Sequence, residues 1–335
     1  MATLAAVLKE STRQSSILHW RTGGSSWRVG DPDFMKIHTI DLQFQEIEKA
    51  IAIFPVEGPD GAAILFETGP ESCRERSLAG LRAAGFSPKD IEAVFVTHIH
   101  LDHAGAAGWW ASQGVPVYVH PRGAKHLIDP TKLVASARMV YGDQFDALWG
   151  EMIPAPEDMI RVIKDAETVE AAGLEITAMD TPGHAFHHHC FALGGIAFAG
   201  DAAGVRLPGN DYTSVASAPP QFHLEYLIES INKMREAEFA SLYLTHFGEI
   251  SDPDEHLADY ERAVRLNAQF VRDRLNEGMD AASLRVAYQA FQMEQAFRHD
   301  LPSTVWETFQ TANPAGMCAD GIRLYWEKEE VRSKT

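Results

Sequence analysis

The chain has 335 residues, 45% of them hydrophobic and 23% charged, which is ordinary for a globular protein with a large buried core. It carries 47 acidic and 29 basic side chains, a formal net charge of −18. This balance argues against nucleic acid and against an anionic membrane surface as partners, because both attract basic patches.

The first part of the chain predicts short strands and helices after a turn-rich start. Residues 1–36 predict an arm that packs on the main domain or is exchanged in a homodimer. Gly58-Pro59-Asp60-Gly61, between two apolar runs, predicts a hairpin turn. The predicted elements, in order, are strands over 51–55 and 62–66, a helix over 71–84 with Gly85 as its stop, a strand over 91–97, a helix over 104–112 and a strand over 115–120.

The rest of the chain changes from a mixed to a helical pattern near residue 253. Residues 123–165 predict mostly helical packing. The predicted strands that follow are 168–170, 174–179, 188–193, 196–198 and 241–245. The predicted helices are 255–276, 281–298 and 303–311, with 322–326 either a strand or a helix. We therefore expect a main domain over 37–252 and a mainly helical C-terminal extension over 253–335.

The segment His98-Ile99-His100-Leu101-Asp102-His103 carries three imidazoles and a carboxylate within six residues, just after the apolar run 93–96. Histidine and aspartate are ligands for borderline to hard divalent metals. Such a cluster is costly in a core unless it holds an ion. A solvated polar loop is the alternative and much the weaker interpretation.

Three further candidate ligands each follow a predicted strand. They are His184 in a TPGH segment, Asp201 after a glycine, and His246 after a threonine. A strand end aims a side chain rigidly. One His or Asp in such a place is more often structural, but four such places in this order favour a metal centre.

Together these places supply five imidazoles and two carboxylates. A single structural zinc uses four ligands and has no open position, whereas seven groups suit two metals that share a bridging carboxylate. Two metals about 3.5–4 Å apart can hold a hydroxide and polarise a carbonyl, and a metal-bound water can have a pKa of about 7. We expect two divalent metals. Zinc is the preferred identity, and iron or manganese are the alternatives.

The order HxHxDH, TPGH, GD and a late His resembles the metallo-β-lactamase-fold hydrolases over roughly two-thirds of the chain, from Ile37 to Ile250. The branch with glyoxalase II and the quorum-quenching lactonases is more similar than the antibiotic-destroying branch. The resemblance implies an α+β fold, a four-layer αβ/βα sandwich with the metals at one edge, between the two sheets.

The resemblance also implies residue roles. The implied ligands are His98, His100 and His184 for the first metal, Asp102, His103 and His246 for the second, and Asp201 as the bridge. By this resemblance a metal-bridging hydroxide would attack the carbonyl, and Asp102, the candidate catalytic residue, would help to pass a proton to the leaving group. Glu67-Thr68-Gly69 stands where the family usually has Asp-Thr-Gly, an element that supports the ligands, so the glutamate is a departure.

The implied reaction is hydrolysis of a small-molecule ester, lactone or thioester, and segments around the mouth of the site select the substrate. The candidate segments are 125–159, the loop 204–220 with Arg206, Asn210 and Tyr212, and the helical tail with Phe291 and Met293. Arg206 and Arg262 do not make a clear basic set, which disfavours a glutathione thioester of the glyoxalase II type. A mostly apolar lip favours an acyl lactone or another hydrophobic ester.

Other functions are left open by the sequence. A mononuclear-iron sulfur dioxygenase would use fewer of the seven positions, and the presence of His246 favours a dinuclear hydrolase. Hydrolysis of β-lactams is a further alternative. A structural metal-binding protein would close its coordination sphere, and a nuclease is disfavoured by the net charge.

The remaining histidines carry weaker signals. His187-His188-His189 alternate along a predicted strand, so we expect one to pack beside the site and the others to support the ligands. Four histidines without comparable context are expected to be incidental: His120, His126, His223 and His256.

The three cysteines, Cys73, Cys190 and Cys318, lie far apart and form no CxxC pair. An odd count makes a disulfide framework a poor interpretation. The sequence shows neither a signal-peptide pattern nor an apolar run long enough for a membrane helix. We therefore expect a cytoplasmic protein.

Overall fold

The computed structural model describes residues 35–333, which form two β-sheets and the helices that cover them. The strands are β1 Lys36–Ile37, β2 Ile40–Asp41, β3 Ala52–Glu57, β4 Ala63–Phe66, β5 Ile91–Phe95, β6 Val117–Val119, β7 Ile160–Val162, β8 Thr168–Ala171, β9 Leu174–Asp180, β10 His189–Leu193, β11 Ile196–Phe198, β12 Ser241–Leu244 and β13 Gly248–Ile250. The helices are α1 Arg74–Ala84, α2 Leu101–Ala104, α3 Ala107–Ser112, α4 Ala124–Ile128, α5 Thr131–Tyr141, α6 Phe145–Trp149, α7 Leu224–Glu236, α8 Pro253–Asn276, α9 Ala281–Arg298, α10 Ser303–Ala312 and α11 Ala315–Ser333. Nearly all of the predicted N-terminal arm, residues 1–34, lies outside the described residues.

The first sheet has seven strands in the order β1-β3-β4-β5-β6-β7, with β2 also paired to β3. The predicted turn at 58–61 joins β3 and β4 as an antiparallel pair, and β4 to β7 then run parallel. Parallel strands are buried on both faces, which explains the continuous apolar run at 93–96. The prediction that 123–165 is mostly helical is correct for α4 to α6 and wrong for β7, which extends the sheet beside β6.

The second sheet has six strands in the order β13-β12-β11-β10-β9-β8. β9, β10 and β11 pair antiparallel in succession, and β11 pairs parallel with β12. Strands β9, β11 and β12 therefore point in the same direction. Their C-terminal ends lie at one edge of the sheet, and the segments that follow them emerge there.

Aromatic side chains fill the space between the two sheets. Phe66 of the first sheet stacks on Phe198 of the second with 3.6 Å between ring centroids. Phe54, Phe95 and Phe191 pack around this pair and are fully buried. Burial of such large rings is the main favourable contribution to holding one sheet against the other.

Helices cover the outer face of each sheet. Leu81 of α1, Trp110 of α3 and Leu127 of α4 lie in one apolar cluster with the outward-facing residues of the first sheet. The outward face of the second sheet packs against α7, α8, α9 and α11. The order helix, sheet, sheet, helix confirms the predicted α+β four-layer sandwich.

The elements that the sequence analysis did not assign include the short strands β1 and β2, the helix α7 and the strand β13. Leu227, Ile231 and Met234 recur at helical spacing on the buried face of α7, so the signal for this helix is present in the sequence. β13 has only three residues and pairs with β12. The ambiguous segment 322–326 is helical, as part of α11.

The C-terminal helices lie directly on the second sheet. Tyr260 of α8, Tyr288 of α9 and Ile322 of α11 share one buried cluster with Leu242 and Leu244 of β12. The extension is therefore continuous with the core that supports the second sheet. The division of the chain at residue 252 stays a prediction.

None of the helices within residues 35–333 combines the length and the apolar character needed to cross a membrane. The longest, α8, has 24 residues but carries charged side chains along its exposed face.

His256, expected to be incidental, anchors α8 to the turn that follows β11. Its ring is buried, Nε2 donates to the carbonyl oxygen of Ala203 at 2.9 Å, and Nδ1 lies 3.5 Å from the Arg206 guanidinium. Burial, aided by the charge of Arg206 and opposed by the Ala203 carbonyl, lowers the pKa of His256 from 6.5 to about 4. The folded protein therefore holds this imidazole neutral.

We predict that His256 makes the protein sensitive to mild acid. A histidine pKa that is lower in the folded state gives stability that is present above pH 6.5 and is lost as the pH falls toward 4. The loss should be on the order of 3 kcal/mol in the free energy of unfolding. Denaturant unfolding between pH 7.5 and about 4 should show a shallower decline for His256→Gln than for the wild type. The exposed His299→Gln is the control and should decline as the wild type does. An equal decline for His256→Gln and the wild type would contradict the prediction.

Candidate metal centre

The seven predicted ligands all lie where a strand ends. His98 and His100 follow β5, and Asp102 and His103 lie on the short helix α2 that begins at residue 101. The segments after β9, β11 and β12 carry the other three: His184, Asp201 and His246. The helix predicted over 104–112 is divided into two helices, α2 and α3. The helix α2 carries Asp102 and His103, the last two residues of the HxHxDH segment.

The first group of candidate ligands consists of three imidazoles. His98 Nε2 lies 2.9 Å from His100 Nδ1, and His184 Nε2 lies 3.2 Å from the former and 2.9 Å from the latter. These three nitrogens are therefore close enough to bind one ion. Their spacing is close to the edge of a tetrahedron of nitrogen ligands about 2.0–2.1 Å from a zinc ion.

The second group consists of one carboxylate and two imidazoles. Asp102 Oδ2 lies 3.4 Å from His246 Nε2 and 3.7 Å from His103 Nε2. The two imidazole rings are nearly perpendicular, with centroids 5.3 Å apart. The ligand atoms of these three side chains also lie within 4.8 Å of one another.

Asp201 lies between the two groups. Its Oδ2 is 3.3 Å from His184 Nε2, and its Oδ1 is 3.3 Å from His103 Nε2 and 3.5 Å from His246 Nε2. One oxygen of the carboxylate thus faces each group. The close approach of Gly200 to Thr97 and His188 leaves no space for a Cβ, since that atom would lie 2.6 Å from the Thr97 hydroxyl.

The residues present fit divalent metals. His103 Nε2, His246 Nε2 and Asp201 Oδ1 are buried and have no hydrogen-bond partner, although they lie close together. Buried polar atoms are normally paired, so atoms that converge without bonding one another are typical of ligands around a cation. The opposite ring nitrogens of His184 and His246 face the carbonyl oxygens of Ala216 and Ala50, at 3.0 and 2.6 Å. These contacts orient the ligands as backbone carbonyls do in metal sites.

Glu67 contacts His103 of the second group of candidate ligands. It has a left-handed backbone, with φ of 62°, and its buried carboxylate lies 2.9 Å from His103 Nδ1. It also accepts hydrogen bonds from the Thr97 backbone N–H and from the hydroxyls of Thr97 and Thr245. The departure from the usual aspartate therefore still places a carboxylate against a candidate ligand.

The electrostatics of the site separate its histidines. Burial, together with the neighbouring imidazoles, lowers the pKa of His98 well below its ordinary value and lowers that of His100 to about 3. Burial also acts to lower the pKa of His103, but Asp201 and Asp102 outweigh it and raise that pKa well above 6.5. The same pairing lowers the pKa of Asp102 to about 2 against the opposing effect of burial. The carboxylates of Asp102 and Asp201 are therefore both ionised at neutral pH.

The three consecutive histidines take three different roles. His187 lies beside the centre, with its ring 5.5 Å from that of His100. His188 accepts from the Asp201 backbone N–H at 3.2 Å and contacts Thr181 through its other nitrogen, so it supports a ligand. His189 faces away from the centre. β10 begins only at His189, which is why strand alternation did not describe all three.

A cavity of about 510 Å³ opens onto the candidate ligands. Its wall is mostly apolar and comes mainly from α5, with further residues from α2, α6, the loop before α7 (218–221), and α10 to the start of α11. The side chains that form this apolar wall are Leu101, Leu133, Ala137, Met139, Val140, Tyr141, Trp149 and Met317. Lys132 and His126 line it as well, so the expectation that His126 is incidental was wrong.

The other predicted mouth segments are only partly correct. Arg206 is held in ion pairs with Asp211 and Asp252, at 2.8 and 3.3 Å, and does not line the cavity. Tyr212 is buried and donates to Gln292. Phe291 and Met293 also lie outside the cavity lining, and the helical tail contributes through Asn313 and Met317 instead.

Comparison with known proteins agrees with this geometry. A model of the metallo-beta-lactamase superfamily matches residues 52–246. The metallo-beta-lactamase fold-containing protein ST1585 of Sulfurisphaera tokodaii is 27% identical over 212 residues, which cover 61% of this chain and 80% of that protein. Its crystal structure superposes with a TM-score of 0.56 and 21% identity over 68% of this chain and 84% of that one. The metallo-beta-lactamase family protein TTHA1429 of Thermus thermophilus gives a TM-score of 0.59 at 20% identity, over 88% of this chain and 94% of that one.

The family model covers more than half of the chain and runs from β3 to the candidate ligand after β12. The chain therefore belongs to the metallo-beta-lactamase superfamily, a superfamily of metallohydrolases. Its groups of His and Asp side chains imply divalent metals as cofactors.

We predict that Glu67→Gln weakens metal binding. The amide keeps the size of the side chain but removes the negative charge beside His103, so the affinity for the metal at the second group should fall by roughly 10- to 100-fold. Competition with a chromophoric chelator measures this affinity. The exposed Glu175→Gln on β9 is the matched control, and equal affinities in both variants would show that Glu67 does not support the centre.

Proposed function

We propose that the protein is a metal-dependent hydrolase that cleaves an ester, lactone or thioester with an apolar acyl part. It uses two divalent metals, and zinc is the favoured ion. The observation that carries this proposal is the position of Asp201, with one carboxylate oxygen toward each group of candidate ligands. A carboxylate in this position suits a bridge between two ions. A single closed structural site would not need it.

When bound, two divalent metals supply an activated water and a Lewis acid for a carbonyl oxygen. The chain supplies the positions and the proton transfer. Asp102 is ionised at neutral pH, and its side chain is 19% exposed where the cavity opens. Its carboxylate can therefore receive a proton and deliver it to a leaving group.

The lining of the cavity supports an apolar substrate. A volume of about 510 Å³ with walls of Leu, Met, Val, Tyr and Trp suits an acyl chain, which gains free energy by leaving water. Among the lining residues, Lys132 is the one permanent cation, a poor match for the two carboxylates of glutathione. These features favour the lactonase-like branch over glyoxalase II, and the seven-group ligand set favours hydrolysis over mononuclear-iron sulfur oxidation.

We predict that Asp201→Ala lowers both metal content and hydrolysis. Loss of the shared carboxylate leaves each ligand group one donor short, so the variant should retain at least about one metal ion fewer per chain than the wild type after dialysis, and kcat/KM should fall at least about 100-fold. Inductively coupled plasma mass spectrometry gives the metal content, and a panel of acyl-homoserine lactones, S-lactoylglutathione, aryl esters and β-lactams gives the activity.

The exposed Asp60→Ala, in the turn between β3 and β4, is the control and should retain metal and activity. Hydrolysis in the wild type should be highest with lactones or esters that have apolar chains. Full metal loading of the wild type without activity on any member of the panel would contradict the proposed function.

We predict that Ala137→Phe shortens the acyl chain that the cavity accepts. Ala137 lines the cavity from α5, and a benzyl group there would occupy space needed by a long chain. KM should rise about tenfold or more for the longest chains and change little for the shortest. Ala135→Phe, on the exposed side of the same helix, is the matched control. An equal effect on all chain lengths would exclude this cavity as the acyl site.

A further inference from the structure

A second cluster of metal-ligating side chains lies away from the centre described above. Asp180 ends β9, His189 begins β10, and His120 directly follows β6. Asp180 Oδ1 lies 3.0 Å from His189 Nδ1 and 3.3 Å from His120 Nε2. All three ligand atoms lie within 4.8 Å of one another, and none of these residues belongs to the first set of ligands.

The atoms of this cluster converge without bonding one another. His189 is fully buried, and its Nδ1 has no hydrogen-bond partner. Asp180 Oδ1 is buried and has no well-aligned hydrogen bond, although His120 Nε2 lies 3.3 Å away and the side chain as a whole is 40% exposed. The same pattern of close but unbonded atoms marks His103, His246 and Asp201 at the first centre. Buried donors and acceptors left in this way are costly unless a cation lies between them.

The orientation of His189 fits a ligand. Its Nε2 lies 3.1 Å from the carbonyl oxygen of Ile163, just after β7, so Nε2 carries a proton, and in the neutral ring the lone pair of Nδ1 is available on the side of Asp180. A lone pair and a carboxylate oxygen at 3.0 Å repel one another, and a divalent cation between them removes that repulsion. A backbone carbonyl that fixes a histidine in this way is common in metal sites.

We propose that Asp180, His189 and His120 form a second metal site, for a borderline divalent cation such as zinc. Two imidazoles and one carboxylate suit such ions, and the exposed side of Asp180 gives an entry path and room for water as a fourth ligand. The site links the two sheets, because His120 follows β6 of the first sheet and the other two residues lie on β9 and β10 of the second. It also fixes both ends of the segment 181–188, which carries His184 and His188.

His120 is the weakest of the three ligands. Its Nδ1 accepts a hydrogen bond from the Arg122 backbone N–H at 2.9 Å, so its proton lies on Nε2 in the absence of the cation. Coordination through Nε2 moves that proton to Nδ1 and breaks the bond to Arg122. Asp180 and His189 therefore dominate binding, and His120 completes the site.

The test is the zinc stoichiometry of the full-length protein. Chains stripped with a chelator are dialysed against zinc, and bound metal is measured by mass spectrometry together with protein concentration. Asp180→Asn should bind about one zinc ion fewer per chain than the wild type at saturation. Asp165→Asn is the matched control, because Asp165 accepts from the Asp180 backbone N–H and from Lys233 but lies outside the three ligands.

His120→Gln provides a second variant in case Asp180→Asn does not fold. It should lower the affinity for the weakest zinc ion by about tenfold or more without changing the tighter ones. Equal stoichiometry and affinity in the wild type and in the folded variants would overturn the second site. The proposed hydrolase function fails on a different result, the retention of metal and activity in Asp201→Ala, so the two proposals can be told apart.

Discussion

The contact between one carboxylate and two sets of imidazoles governs the arrangement of this molecule. Asp201 is almost fully buried and faces His184 on one side and His103 with His246 on the other. So many polar side chains are costly to remove from water unless cations compensate for the loss of solvation. The parallel directions of β9, β11 and β12 bring His184, Asp201 and His246 to one edge of the second sheet, while His103 comes from the segment after β5 of the first sheet. The aromatic core between the sheets holds the two edges together.

Much of this architecture could be predicted from local patterns in the sequence. The apolar runs that became β3, β4 and β5 are continuous because these strands are buried on both faces, and the helices from α8 to α10 show clear helical spacing. The candidate ligands were identifiable because they follow strand ends in an order that resembles a known family. Whether they bind two metals stays a prediction.

Features that depend on contacts between segments distant in the sequence could not be predicted from local patterns. His120 shows nothing unusual in its own sequence neighbourhood, and only the packing of β6 against the ends of β9 and β10 brings it to Asp180. The same is true of the cavity, where α5 and residues after α10 meet above the ligands. The alternation expected for His187 to His189 failed because the strand begins only at the last of them.

The central claim is that Asp201 lies between two metal ions. The most direct test is anomalous scattering at the zinc edge from crystals of the zinc-loaded protein. The account predicts two strong peaks about 3.5–4 Å apart, one beside His98, His100 and His184 and the other beside Asp102, His103 and His246, with the carboxylate of Asp201 between them. One peak alone within these seven residues, or none, would contradict the account.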